Sequence, residues 1–370
     1  MKAGNFNNSG RKKRVLVAPL DWGLGHTTRC IPLIKELINN NCEVFLAAEG
    51  AAMHLLQQEF PQLELLHLKG YRMRYSRTKK GFLPRLILQF PKILLSAFKE
   101  HRWLKKTVRE KSIDIVISDS RFGIYHHAVP CIYITHQLTI KTGNSFTERL
   151  AQKMHYHFIN KYTACWVPDA AGEYNLAGDL SHPPKMPKTR VEYIGPLSRF
   201  EKTVGTKKYG LAIILSGPEP QRTIFEDLIL KELEQYSGTC IFIRGLPGNA
   251  DIKPCGNEKI EIHNHLSAPA LSEAIQRSDL VICRGGYTTV MDLVKLQHKA
   301  ILIPTPGQTE QEYLADYLSS RHYFYSMEQD KFSLAVVELL ANLPGAHWPT
   351  FSEGYIQAVH DLISGFPSKI

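Results

Sequence analysis

Short apolar runs rich in β-branched residues recur along this chain, with amphipathic stretches between them. Residues 14–20 (RVLVAPL), 43–48 (EVFLAA), 63–68, 114–118 (DIVIS), 131–135 (CIYIT), 164–167 and 191–194 read as strands. Their near-continuous hydrophobicity suits a parallel sheet covered on both faces. After Gly195-Pro196 comes a polar stretch, LSRFEKTVGTKKYG, which reads as a linker. A second series follows at 211–215 (LAIIL), 239–244, 260–263, 279–283 (DLVIC), 300–304 and 322–325. Helical periodicity covers 221–236, 268–277, 288–296, 308–320 and 355–364. The alternation predicts an α/β fold of two doubly wound, Rossmann-like domains, 1–198 and 199–370, facing a central cleft. In such sheets ligands bind beyond the carboxyl ends of the strands, so the informative residues are expected in the loops directly after them.

Composition narrows the class. A chain of 370 residues suits two domains, and 44% hydrophobic with 22% charged residues excludes wholesale disorder. No apolar run reaches the roughly 18 residues of a spanning helix. The opening MKAGNFNNSGRKKR has no apolar core of a leader peptide, which predicts a cytoplasmic protein. Seven scattered cysteines, never spaced as Cys-x-x-Cys, fit buried free thiols rather than disulfides or a zinc site.

The charge of +10 is concentrated. Residues 69–111 hold fourteen Lys/Arg against Glu100 and Glu110, a local charge of +12. The same segment contains FLPRLILQFPKILLSAF. Basic residues beside Phe and Leu describe a surface able to lie on an anionic membrane, at the inner face of the cytoplasmic membrane for a cytoplasmic protein. An ordinary helix with a solvated basic face remains open. No nucleic-acid motif accompanies the charge, so no nucleic-acid partner is expected.

The first strand runs into DWGLGHTTR. Gly23 and Gly25 allow a tight turn and close approach of a ligand, and Arg29 follows on the helix, all on the expected acceptor side. His26 has an intrinsic pKa suited to general-base work, with a structural or solvent-facing histidine as the plain alternative. Asp119 ends the strand DIVIS and is placed either to hydrogen-bond His26 and favour its charged form, or to cap a helix near Arg121. His136 and Gln137 either line the acceptor side or satisfy loop backbone.

The second half is more specific. A strand ends in Arg284-Gly285-Gly286 and a helix starts near Thr288 and Thr289: flexible glycines, two hydroxyls and a helix N-terminus, the makings of a phosphate site. Asp292, about one turn on, suits ribose hydroxyls. Gln308, Gln311 and Glu312 offer paired donors and acceptors for a sugar, and Ser216-Gly217 supplies a third loop. Ordinary helix capping is the alternative for Thr289, Thr309 and Asp292.

With these residues in hand the chain resembles glycosyltransferases of the GT-B fold, nearest to family 28, which includes the peptidoglycan N-acetylglucosaminyltransferase. The resemblance is strongest over 278–318 and weak across 69–111. It implies a nucleoside-diphosphate sugar, expected to be a UDP-sugar, held mainly by the C-terminal domain. Residues 284–286 and Thr289 match its diphosphate loop, Ser216 a serine near the diphosphate, Asp292 the ribose carboxylate, and His265-Leu266 the backbone that reads the uracil edge. Gln311 matches one of two adjacent glutamines on the donor sugar, the second being Glu312 here. His26 stands where the glycine-rich loop's histidine is proposed as base. The departures at Asp292, Glu312 and SDSRFG (118–123) favour a relative over the peptidoglycan enzyme itself.

The expected reaction is inverting transfer to a hydroxyl or phosphate of a lipid-linked or small-molecule acceptor. No Asp-x-Asp pair is present to hold a divalent ion on the diphosphate, so neither metal nor cofactor is expected. A GT-B sugar-nucleotide hydrolase or epimerase, and a non-catalytic membrane-recruited subunit, remain alternatives.

Overall fold

A computed structural model describes residues 11–71, 82–203, 205–248, 251, 253, 255–343 and 350–365, with side chains of 82–90 set aside. The first domain is built from β1 (Arg14–Pro19), α1 (Leu24–Asn39), β2 (Glu43–Ala48), α2 (Gly50–Glu59), β3 (Glu64–His67), α3 (Phe82–Lys111), β4 (Ile115–Asp119), β5 (Cys131–Ile134), α4 (Ser145–Ile159), β6 (Ala164–Val167) and β7 (Arg190–Tyr193). Its seven strands lie in the order β3-β2-β1-β4-β5-β6-β7, and every pairing is parallel.

The second domain contains β8 (Tyr209–Ile214), α5 (Gln221–Leu233), β9 (Cys240–Ile243), β10 (Ile260–His263), α6 (Ala268–Gln276), β11 (Ser278–Cys283), α7 (Tyr287–Leu296), β12 (Ala300–Leu302), α8 (Thr309–Ser320), β13 (Tyr325–Ser326), α9 (Leu334–Ala341) and α10 (Gly354–Ser364). Its six parallel strands run β10-β9-β8-β11-β12-β13. Both sheets therefore start at a central strand, wind outward, and return to wind the other way. That reversal opens a crevice at the carboxyl ends of β1/β4 and of β8/β11. The central strands are buried on both faces, as their unbroken Val/Ile/Leu content requires.

Two elements differ from the sequence expectation. The strand expected at 322–325 shrinks to Tyr325–Ser326, because His322 sits at φ 57° and breaks the extended backbone ahead of the pairing Ile301↔Tyr325. The polar stretch after Pro196 is not a loose tether. Leu197 and Phe200 are buried in the main core, and the Ser198 hydroxyl donates to Asp292 Oδ1 at 2.5 Å. Three-residue spacing lets both apolar side chains dock while the polar residues between them face outward or find partners. All seven cysteines are free, five of them buried.

The C-terminal helix α10 returns to the first domain and packs on α1. Backbones approach closely there: a Cβ on Gly195 would lie 2.1 Å from the Ser352 carbonyl oxygen.

Helix α3 buries Ile93, Ala97, Glu100, Leu104 and Thr107, a clean three-and-four spacing, against the sheet. Glu100 is 2% exposed and accepts from Arg121 Nη1 (2.8 Å), Tyr71 Oη (2.8 Å) and the Gly123 amide (3.0 Å). Arg121 in turn donates to the Pro19 carbonyl at 2.8 Å, so this carboxylate staples α3 to the loops that end β1 and β4. Glu100→Ala leaves a fully buried guanidinium without its counter-charge and should cost about 3–5 kcal/mol of stability. Urea unfolding followed by fluorescence measures it; a variant as stable as the parent would remove Glu100 from this role.

Candidate active site

Strand register assembles the first half of the site. Pro19 pairs with Asp119 and Asp119 with Ile134, so the loops leaving β1, β4 and β5 emerge side by side. Gly23, at φ 80°, turns the chain into α1, a conformation that a side chain would strain. One turn separates His26 from Arg29, which puts both over the end of β4. Asp119 is fully buried. Its Oδ2 accepts from Arg29 Nε at 2.5 Å, and its Oδ1 accepts from Arg29 Nη2 and lies 2.9 Å from His26 Nδ1. Arg29 Nη1 donates to His136 Nδ1 at 3.1 Å, and His136 Nε2 lies 2.8 Å from Glu310 Oε1 on α8 of the other domain.

These contacts assign protons. A guanidinium only donates, so His136 Nδ1 is bare and its Nε2–H points to Glu310. A carboxylate only accepts, so the His26–Asp119 bond puts a proton on Nδ1 and leaves the Nε2 lone pair for chemistry; Arg29 Nη2, also 2.9 Å from Nδ1, competes for that position. The His26 side chain keeps 19% of its surface exposed, whereas Asp119 has none and Arg29 has 2%, so His26 is the member of the trio that reaches the crevice.

Electrostatics follows from the geometry. Burial, then the Arg29 charge, lowers the His26 pKa below its ordinary 6.5, and Asp119 opposes them without winning. Asp119 does favour the charged form of His26, as its place after β4 suggested, but burial and the Arg29 charge outweigh it, and the resting imidazole is neutral. Arg29 and His26 hold the Asp119 carboxyl well below its usual range in spite of burial. Glu310 is likewise lowered, by His136, His26 and Arg29 against the effect of burial.

The second half of the site lies at the ends of β8, β11 and β12. Cys283 pairs with both Ile214 and Leu302, which brings the Ser216-Gly217, 284–286 and 304–308 loops together. Helix α7 starts at Gly286 without a side-chain cap or an acidic residue in its first turn, and α1 starts at Gly23 in the same way. Their first turns touch: Thr288 Oγ1 donates to the Gly25 carbonyl at 3.2 Å, and a Cβ on Gly25 would lie 3.0 Å from that hydroxyl. Two positive helix ends abut here, an arrangement that favours an anion between them.

Several expected donor residues have other partners. Arg284 points into its own domain, donating to the carbonyls of Ile303, Pro304 and Gln221 and to Gln329 Oε1, and it stacks over Phe225. It braces the phosphate-side loops from behind instead of facing them. Thr288 bonds across to the first domain. Asp292 is buried, its pKa pushed up to about 6 by burial, and holds Ser198 of the docked linker. Gln311 accepts from the Thr305 amide at 2.9 Å and donates to Gln308 Oε1 at 2.6 Å, while Glu312 accepts from the Gly307 amide at 3.0 Å. These three shape the loop before α8. Ser216, Gly217 and His265 are exposed, Gly286, Leu266 and Thr289 half-buried, and Gly285 buried against the Gln311 carbonyl.

On the acceptor side, Arg29 and His136 are corrected too. Both are buried inside the polar cluster, and His136 stacks face to face on Tyr287 with ring centroids 4.2 Å apart. They join the domains and do not line a surface. Gln137 is half-buried, its amide donating to Thr135 Oγ1 at 3.1 Å. Asp119 caps no helix; it closes β4.

Sequence reasoning missed Glu310 and Arg199. Arg199, within the docked linker, stacks over Phe200, and its Nε is buried without a hydrogen-bond partner among the described residues. It lines an open cavity of about 720 Å³ between Lys35 and Glu59 of the first domain and Pro269, Glu273 and Arg277 of the second. The one available signal was its place three residues after Pro196, at the crossing between the domains.

Comparison with known proteins agrees with this geometry. Residues 248–343 match the glycosyltransferase family 28 C-terminal domain. The chain is similar to an uncharacterized glycosyltransferase of Methanosarcina acetivorans, 25% identical over 324 residues and covering 81% of each. It is 27% identical over 148 residues to the UDP-N-acetylglucosamine–N-acetylmuramyl-(pentapeptide) pyrophosphoryl-undecaprenol N-acetylglucosamine transferase of Haemophilus ducreyi, covering 38% of this chain and 41% of that one. Among solved structures, the kitacinnamycin glycosyltransferase aligns with a TM-score of 0.63 at 14% identity over 96% of this chain and 95% of its own. The calicheamicin glycosyltransferase aligns at 0.62 and 13% identity, over 96% and 94%. Two doubly wound domains of GT-B type, a match to the family 28 C-terminal domain over residues 248–343 and relatives named as glycosyltransferases together make this chain a GT-B-fold glycosyltransferase that is similar to family 28.

Proposed function

We propose that the protein moves a sugar from a nucleoside-diphosphate sugar, a UDP-sugar in the first instance, to a lipid-linked acceptor, with inversion and without a metal ion. The carrying observation is the abutment of the uncapped ends of α1 and α7 beside a neutral, Asp119-anchored His26. Backbone N–H groups and helix dipoles there stabilise the charge that develops on a departing diphosphate. His26 Nε2 removes the acceptor's O–H proton as that oxygen bonds to the anomeric carbon. The carbon–oxygen bond to the diphosphate breaks, and the electron pair leaves with the nucleoside diphosphate. Attack from the face opposite the leaving group inverts the centre. The Haemophilus relative's name supports both a UDP donor and a polyprenyl-linked acceptor.

Attachment to an anionic membrane is part of the proposal. No described helix is long and apolar enough to cross a membrane. On the outer side of α3, Leu94, Leu95 and Phe98 are exposed among Lys99, Arg102, Lys105, Lys106 and Arg109, the composition of a surface-lying helix. The location supported is peripheral, at the inner face of the cytoplasmic membrane, with acceptor delivered from the lipid.

Replacing His26 with Ala should lower turnover by about 10²–10⁴-fold while UDP binding persists, the range for a lost general base. Near-normal transfer by that variant would end the base assignment. Because the His26 pKa is lowered, the base is neutral throughout the neutral range; kcat should stay level there and fall only as pH drops through a value below 6.5. Activity should survive EDTA, whereas loss restored by Mn²⁺ would argue for a metal. UDP-sugar consumed equally without any acceptor would mark a hydrolase or epimerase.

Sedimentation with vesicles tests the membrane reading. Binding should need anionic lipid, weaken with salt, and fall in a Leu95→Ser, Phe98→Ser, Lys99→Glu, Arg102→Glu variant, since each basic residue near such a surface contributes about 1 kcal/mol. Equal binding to neutral vesicles, or none to either kind, would leave α3 an ordinary solvated helix.

A further inference from the structure

The polar cluster around His26 contains a charge the catalytic scheme does not use. Counting outward, Asp119 is negative and Arg29 positive, and Arg29 takes both oxygens of Asp119. Within the first domain these two cancel. A proton arriving on His26, whose side chain is only 19% exposed, would then leave that side of the crevice with a net positive charge. Glu310 changes the balance. It stands in the first turn of α8, in the second domain, and its carboxylate accepts from His136 Nε2 at 2.8 Å while His136 Nδ1 accepts from Arg29.

We infer that Glu310 is a positioning residue for the base: delivered by the second domain, it supplies through His136 and Arg29 the negative charge that makes an imidazolium at His26 affordable in the closed enzyme. With Glu310 in place the cluster goes from one net negative charge to neutrality as His26 accepts its proton. The base is therefore stronger when the two domains are together than when they are apart, which ties proton removal to assembly of the donor site. Arg29 from α1 and Asp119 from β4 contact His26 directly, and behind them the cluster continues through Cys30 against Asp119, His136 after β5 against Arg29, and Tyr287 of α7 and Glu310 of α8 against His136. Cys30 and Tyr287 stay protonated, since burial raises both. Glu310 is thus the acidic group in this set that belongs to the other domain. The ionised state of Glu310 is itself favoured by His136, His26 and Arg29.

This inference rests on His26 being the base, and the test separates the two. Glu310→Gln keeps a carbonyl oxygen for His136 Nε2–H and removes only the charge. Protein labelled at histidine Cε1 is titrated by ¹H–¹³C NMR, alone and with UDP added, with the His26 resonance picked from the sixteen histidines by its loss in His26→Ala. The His26 pKa should be lower in Glu310→Gln by about one pH unit, the size expected when a nearby unit charge is removed from a partly buried imidazole. Superimposed His26 titration curves for parent and Glu310→Gln, both with and without UDP, would overturn the inference. Retained transfer by His26→Ala would instead remove the base reading and leave the titration result standing as a fact about the cluster.

Discussion

The buried Asp119 is the constraint from which the active side of this protein follows. A carboxylate with no access to water is tolerated only with full compensation, and Arg29 provides it with a two-pronged contact. That contact fixes α1 to the end of β4, and the helix carries His26 one turn before Arg29. Orientation of the histidine is thus a by-product of neutralising a buried charge. Burial first, and then the Arg29 charge, keep the imidazole neutral at rest against the pull of the carboxylate.

Joining the domains depends on features of a similar kind. His136 and Glu310, Tyr287 and the Pro168 carbonyl, Tyr317 and Asn175, and Thr309 and the Lys141 carbonyl all pair across the crevice at 2.7–2.9 Å. Such polar bridges are specific in direction but modest in net strength, which suits an interface that must open for substrates. The apolar share of the contact comes from α1 against α7 and α10 and from the docked Leu197 and Phe200. Gly25 matters at this seam, since any side chain there would press on Thr288 and hold the two helix ends apart.

Arg284 and Asp292 show how a correctly found loop can still be misread in detail. Both stand where a phosphate loop and a ribose carboxylate were expected, yet Arg284 turns inward to four acceptors on neighbouring loops and Asp292 is engaged by Ser198. Their position at the ends of β11 and in α7 was readable, because strands and helix starts announce themselves locally. The direction of a side chain with several rotatable bonds depends on which acceptors lie around it, and those come from residues 63 positions back and 45 ahead.

By itself the sequence determined the two α/β domains with parallel sheets and the loops that carry function, and it offered the pairing of His26 with Asp119 as one of two readings. These follow from hydrophobic period and from strand ends, which are properties of short segments. Only the tertiary structure decided that Arg29 and His136 are buried, that the polar stretch after Pro196 is docked, that α3 is stapled by Glu100, and that Glu310 belongs to the cluster. Each of these is a contact between residues tens to nearly two hundred positions apart, and His136–Glu310 spans 174. No local pattern encodes such a meeting. It exists because two folded domains bring their strand ends to one crevice, where buried charges must find opposite ones.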